Sequence, residues 1–327
     1  MFVPLRIAVI GAGAMGARHA RVITEHQDTV LALVVDPDRA VGEPIAERFR
    51  TEWAPELDDP SAYDAFIIAT PTPHHTEWAH RILEAGKPLL VEKPISTDLA
   101  STERLIAEAR RLGVPMTCGF LERFNAAVVT ALDIVENPVH ITALRHSPYA
   151  PRIPTGVMFD LLIHDVDLVT RLTGREPDHL AAHLAYVHPE SKPGAEDIAE
   201  VTMQYESGEL AVLSASRISQ RKQRMIHINE LDRLVEIDLV RQDLTVYHHV
   251  GNTSLDTGPG YRQQTIIDIP TIQNPREPLV AQLDHFVALA WGSIDAAVEL
   301  DTIVLPHRVV DEALRSAAGR LDTTPAF

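Results

Sequence analysis

The chain has 327 residues, enough for two domains that each bury a core of their own. With 46 acidic against 29 basic residues the formal charge is −17, which disfavours polyanionic partners such as nucleic acid or an anionic membrane surface. The single cysteine, Cys118, excludes an internal disulfide and offers no metal cluster, which fits a reducing cytoplasm, and no apolar run reaches the length of about 18 residues that spans a bilayer.

In chain order, the first element is an apolar strand at 6–10 that runs into Gly11-Ala12-Gly13-Ala14-Met15-Gly16 and then a helical pattern at 16–26. This is a dinucleotide-binding turn. The first glycine permits the tight turn, the second lets a pyrophosphate approach the backbone, and the third lets the helix pack on the strand. The helix start turns its N–H groups and positive dipole end toward the phosphates. Residues 7–17 resemble the apolar part of a signal peptide, yet only Arg6 precedes them closely, so no targeting segment is read. No internal repeat or low-complexity tract is found either.

A second apolar strand at 30–35 ends on Asp36, about 20 residues past the glycines, where a carboxylate accepts hydrogen bonds from a ribose 2′-hydroxyl. The same carboxylate repels the 2′-phosphate of NADP, so the expected cofactor is NAD. Arg39 is the counter-signal, because a guanidinium there would help admit NADP.

Strand patterns continue at 65–69, 89–91 and 116–118, separated by helical patterns at 38–49, 74–85 and 98–112. The alternation predicts an α/β domain with a doubly wound parallel sheet. Asp98 is a cap for the helix through Leu112, and Gly113 and Gly86 are stop signals. After Phe120 the pattern becomes β-rich, at 139–147, 179–187, 197–206, 209–218, 225–230, 233–240 and 243–249. Helices are expected near 157–173, 279–291 and 306–319, with a Gly/Pro/Thr-rich connection from Gly251 to Pro278. The reading is a Rossmann domain over 1–121 and an α+β domain over 122–327 with an open, mainly antiparallel sheet, its C-terminal helices packing back on the first domain. The uncovered face of that sheet predicts a homodimer or homotetramer.

Ligands of a Rossmann sheet bind beyond the carboxyl ends of the strands. Two segments lie there: Thr70-Pro71-Thr72-Pro73-His74-His75, and Glu92-Lys93-Pro94. Thr70, Pro71, His75, Glu92 and Lys93 are therefore candidates for contact with the cofactor. The Lys93 ammonium would also hold a substrate hydroxyl near the nicotinamide. The bland alternatives are a solvated lysine paired with Glu92, and a histidine that only caps a helix.

Farther on, Asp160, His164 and Asp167 stand at i, i+4 and i+7 of an otherwise apolar helix and are expected to share one face. His164 is the best general acid/base in the chain, with a carboxylate one turn away. A metal site of Asp, His and Asp and a purely structural His–Asp pair stand as alternatives, and the expectation is no metal. Arg217, Arg221, Lys222 and Arg224 form a basic cluster suited to a diphosphate or carboxylate, or else a solvated hairpin tip. Arg123, Arg145, Tyr149 and Arg152 are further candidates for binding substrate, besides Arg221 and Arg224.

With these motifs in place the chain resembles the Gfo/Idh/MocA family of sugar and cyclitol oxidoreductases. The resemblance rests on Gly11 to Gly16, on Ala69-Thr70-Pro71-Thr72-Pro73 with His75, on Gly86-Lys87 followed by Glu92-Lys93-Pro94, on Gly119-Phe120 with Arg123-Phe124-Asn125, and on Asp160-Leu161-Leu162-Ile163-His164-Asp165. It implies that Lys93, Asp160 and His164 form the catalytic group, that the Lys93-Pro94 peptide is cis, and that the second-domain sheet makes the oligomer contact. The stretch Leu121 to Asn125 with Leu161 to Asp165 looks most like the branch containing nucleotide-sugar 3-dehydrogenases. The implied reaction moves hydride between nicotinamide and a secondary alcohol or ketone. An NAD-dependent glycosidase acting by transient oxidation and a non-catalytic dinucleotide and sugar sensor are the alternatives.

Overall fold

Two apolar runs, Leu5–Ile10 and Thr29–Val35, lie side by side in the first sheet, and in a computed structural model of the chain they are the parallel strands β1 and β2. The structure describes residues 3–151, 153, 155–254, 261–273 and 275–321. Its residues group into two units, the chain up to Leu121 with Glu277–Arg308, and Glu122–Arg276 with the chain from Val309.

In the first unit the elements run β1, α1 (Ala14–Glu25), β2, α2 (Arg39–Phe49), β3 (Glu52–Ala54), β4 (Ala65–Ile68), α3 (His75–Glu84), β5 (Leu89–Val91), α4 (Leu99–Leu112) and β6 (Met116–Cys118). All strands pair in parallel in the order β3-β2-β1-β4-β5-β6. The order reverses between β1 and β4, and a crevice opens at such a switch point. Val9 and Ile67 are fully buried, as central strands covered on both faces require. The Asp98 side chain accepts the Ser101 N–H to cap α4, and Gly113 ends the helix in the left-handed conformation. The edge strand β3 has no counterpart in the sequence reading, since three residues of mixed polarity carry no period.

The second unit holds α5 (Ala126–Ile134), β7 (His140–His146), α6 (Ile163–Thr173), β8 (His179–Ala185), β9 (Ile198–Gln204), β10 (Leu210–Ser216), β11 (Gln223–Asn229), β12 (Arg233–Asp238), β13 (Asp243–Ser254) and β14 (Tyr261–Asp268). These eight strands form one sheet, β14-β13-β12-β11-β7-β10-β9-β8, antiparallel throughout except for the β7/β10 pair. The connection read from Gly251 onward is corrected here, because β13 extends to Ser254 and β14 follows. Likewise α5, capped by the Asn125 side chain on the Ala127 N–H, replaces a stretch with no helix assigned.

The segment from Glu277 belongs to the first unit, so the second domain read as 122–327 is not continuous. Its helix α7 (Pro278–Ala290) buries Leu279, Leu283, Phe286 and Val287 in one cluster with Ile7, Val9, Ile23 and Val34. Each such side chain contributes about 1.5–3 kcal/mol when removed from water. The last helix, α8 (Ala296–Leu321), divides between the units after Arg308.

Candidate active site

At the end of β1, Gly11 has φ +92° and lies so close to the following segment that a Cβ would stand 2.7 Å from the backbone of Ala69 and Thr70. A Cβ on Gly16 would fall 1.8 Å from the Gly11 carbonyl oxygen, so the helix can pack here only on glycine. A Cβ on Gly13 would meet nothing within 4 Å, which leaves the room a pyrophosphate needs. Ala14 and Met15 open α1, and no side chain caps it. Its first N–H groups therefore suit an anion.

Beside this turn lies a cleft of about 770 Å³, lined by Gly11, Gly13, Asp36, Thr70 and Pro71 among others. One Asp36 carboxylate oxygen accepts the Ala12 N–H at 2.7 Å and the other accepts the Asp38 N–H at 2.9 Å. Its position is thus tied to the glycine turn. Thr70 contributes a buried hydroxyl oxygen with no hydrogen-bond partner, a group that a ligand in the cleft would satisfy. Together these features fit a dinucleotide. Arg39 turns elsewhere: its guanidinium makes two bonds to Glu43, at 2.8 and 2.7 Å, and lies 5.8 Å from the centre of the Trp53 ring.

His75 and Glu92, expected to touch the cofactor, are internal. The His75 ring nitrogens lie 2.8 Å from the carbonyl oxygens of Pro94 and Thr70, and Glu92 pairs with His19 at 2.7 Å. Both side chains are committed to packing these loops. His74, Glu77, Trp78 and Arg81 line the cleft instead. Their helical spacing after the Pro71 turn was the available signal for a lining face. Lys93 is half-buried, and the Lys93-Pro94 peptide is cis.

In the second unit a π-helical turn, Met158–Leu162, leads directly into α6. The wider turn breaks the regular spacing assumed for Asp160, His164 and Asp167. Across residues 160–170 only Asp160 and His164 escape full burial. Asp167 is instead buried, bound by Arg123 at 2.5–3.0 Å. The Glu196 carboxylate accepts the Met158 N–H at 2.7 Å and so anchors the start of the π-helical turn. Glu196 carries no signal for this role in the sequence, because it lies far from the turn along the chain.

The arginines proposed for substrate also separate. Arg145 is fully buried, binding Asp165 through two nitrogens at 2.7–3.0 Å and Glu122 at 2.8 Å. The two carboxylates hold its guanidinium above the ordinary arginine range despite the burial that opposes them. Arg123 and Arg145 are therefore internal ion-pair partners, contrary to the expectation that they face a sugar. Arg224 reaches the same Glu122 at 2.8 Å. Arg217 is buried on Asp197, and only Arg221 and Lys222 of the basic cluster are exposed. The cluster is split by these internal partners. Tyr149 stacks on His188 with ring centres 3.6 Å apart. Arg152 lies outside the described residues.

Residues 5–120 match the oxidoreductase family with an NAD-binding Rossmann fold, and residues 138–235 match the GFO/IDH/MocA C-terminal domain. The chain belongs to the Gfo/Idh/MocA family. It is an oxidoreductase with an NAD-binding Rossmann domain. It is 30% identical to a UDP-N-acetylglucosamine 3-dehydrogenase of Acidithiobacillus ferrooxidans over 86% of this chain and 88% of that protein. A myo-inositol 2-dehydrogenase of Thermotoga maritima is 29% identical over 65% of this chain and 69% of that one. A solved structure of the Acidithiobacillus enzyme superposes with a TM-score of 0.83 at 27% identity, covering 98% of this chain and 99% of that one.

Proposed function

We propose that this oxidoreductase uses NAD to interconvert a secondary alcohol and a ketone on a nucleotide-sugar, with free sugars and cyclitols as the other substrate classes. The observation that carries the chemistry is the partial exposure of Asp160 and His164 alone on the stretch 160–170, whose other residues are buried. Ionisable groups presented from such an element serve a cleft rather than the solvent.

Bound NAD supplies the acceptor for the hydride that leaves the carbinol carbon. His164 acts as general base and takes the hydroxyl proton as that carbon is oxidised. Lys93 hydrogen-bonds the reacting oxygen and stabilises its developing negative charge. Asp160 orients the lysine and the imidazole. In reduction His164 returns the proton to the carbonyl oxygen.

The choice of NAD rests on Asp36 at the cleft and on Arg39 turned to Glu43. A nucleotide-sugar is favoured because the relative named for one matches 86% of the chain, whereas the inositol relative matches 65%. The exposed Arg221 is the cation proposed to meet a diphosphate. The second sheet presents half-buried Leu144, Val212 and Met225 on one face, and a second copy of the chain is the proposed cover. Absorbance of NADH, followed in both directions over nucleotide-sugars, free sugars and cyclitols, tests the reading. Turnover confined to a substrate without a secondary alcohol or ketone contradicts it.

A further inference from the structure

Three histidines from three helices of the first unit converge on one short segment, Glu92-Lys93-Pro94-Ile95. His19 of α1 places Nε2 2.7 Å from a Glu92 carboxylate oxygen. His75 of α3 places Nδ1 2.8 Å from the Pro94 carbonyl oxygen and Nε2 2.8 Å from that of Thr70. His307 of α8 accepts the Ile95 N–H on Nε2 at 3.2 Å and donates from Nδ1 to the Ile303 carbonyl at 2.8 Å. All three residues are 1–2% exposed.

Burying an imidazole carries a desolvation cost that an aliphatic side chain in the same place would not. What an imidazole adds at each place is a directed hydrogen bond to the segment, and at His307 a rigid bridge between two partners, one nitrogen accepting while the other donates. His307 uses both capacities, and its partners fix the tautomer with the proton on Nδ1. Glu92 is confined further by Gly119, where a Cβ would stand 2.6 Å from the carboxylate oxygen, and by its own N–H, which donates to the Ile68 carbonyl at 2.9 Å. The residue before Lys93 and the two after it are thus each held by a separate helix.

We propose that His19, His75 and His307 are positioning residues that set the backbone from which Lys93 reaches the reacting oxygen. The proposal rests on the role given to Lys93 above. Its physical content is that a small displacement of a group engaged in the reaction lowers turnover steeply, whereas cofactor contacts made elsewhere are untouched.

The test uses the full-length protein and the variants His19→Leu, His307→Leu, His19→Gln and His307→Gln, each alone and in a Lys93→Ala background. Leucine removes the hydrogen bonds and keeps an apolar filling, while glutamine restores a donor and an acceptor. The leucine variants should lose about tenfold to a hundredfold in kcat, with the NAD dissociation constant within about twofold of the parent, and the glutamine variants should recover most of the loss. In the Lys93→Ala background the leucine changes should lower kcat no further, because their effect passes through the missing amine. Equal losses in both backgrounds, or unchanged kcat in the leucine variants, overturn the positioning role. Should a leucine variant fail to fold, the glutamine pair read in both backgrounds decides by the same non-additivity, and additive losses there overturn it. If Lys93→Ala itself keeps full kcat, the role of Lys93 fails instead, and the two failures are separable.

Discussion

Arg39 is clasped by Glu43 one helical turn on, through two N–H···O bonds of 2.8 and 2.7 Å. The carboxylate raises the basicity of the guanidinium and occupies the fork that a 2′-phosphate would use. Asp36 meanwhile stays tied to the Ala12 amide. NAD should therefore be preferred to NADP in kcat/KM. Glu43→Gln should raise kcat/KM for NADP severalfold, and Asp36→Ala should narrow the NAD preference by at least about tenfold. A parent enzyme faster with NADP contradicts this account of the ribose site.

Asp165 and Arg221 make a contrasting pair. Asp165→Ala leaves the Arg145 guanidinium buried without its two-nitrogen partner, a change worth about 3–5 kcal/mol and a clear drop in the thermal midpoint. Arg221 is exposed, so Arg221→Ala should change stability by no more than about 0.5 kcal/mol. It should instead raise KM for a diphosphate-bearing substrate and leave KM for a cyclitol unchanged. Calorimetry and initial rates on the two variants read both halves.

Acid stability follows from Asp197. Against its burial, the amides of Val187 and His188, the Ser191 hydroxyl and the Arg217 guanidinium hold its carboxyl well below the usual range. As pH falls below the ordinary aspartate value of about 3.9, the unfolded chain takes up the proton first, so the stability from this group is progressively lost. Asp197→Asn should lower the midpoint at neutral pH and flatten its fall under acid. Burial pushes Glu196 the other way, above the usual range. Its contribution is present below about pH 4.3 and lost as pH rises through the raised folded value, so Glu196→Gln should steepen the acid limb. Thermal midpoints between pH 3 and 7 distinguish the two signs.

Motifs defined by neighbours along the chain are legible in the amino-acid sequence. The glycine turn, Asp36 at the end of β2, Asp98 as a cap and the alternation through β6 depend on local sequence order, and the fold realises each. Short or irregular elements are not legible. Glu52–Ala54 is too brief to show a period, Tyr261–Asp268 alternates weakly among polar residues, and the π-helical turn at Met158 leaves no mark in composition. The fate of charged side chains is hidden for a different reason. Whether Arg145 faces a ligand or Asp165 depends on a strand meeting a helix 20 residues away, which spacing alone does not encode. The same holds for His19, His75 and His307, which converge on one loop from distant parts of the chain.

The central claim is that Lys93 and His164 act on one hydroxyl, the amine holding the oxygen and the imidazole moving its proton. The most direct measurement is the rate of NADH formation at saturating substrate by Lys93→Ala and His164→Ala, with NAD affinity determined on the same preparations. The account predicts a loss of about 10²- to 10⁴-fold in kcat for each, with NAD affinity nearly unchanged. A His164→Ala variant that turns over at the parent rate contradicts it.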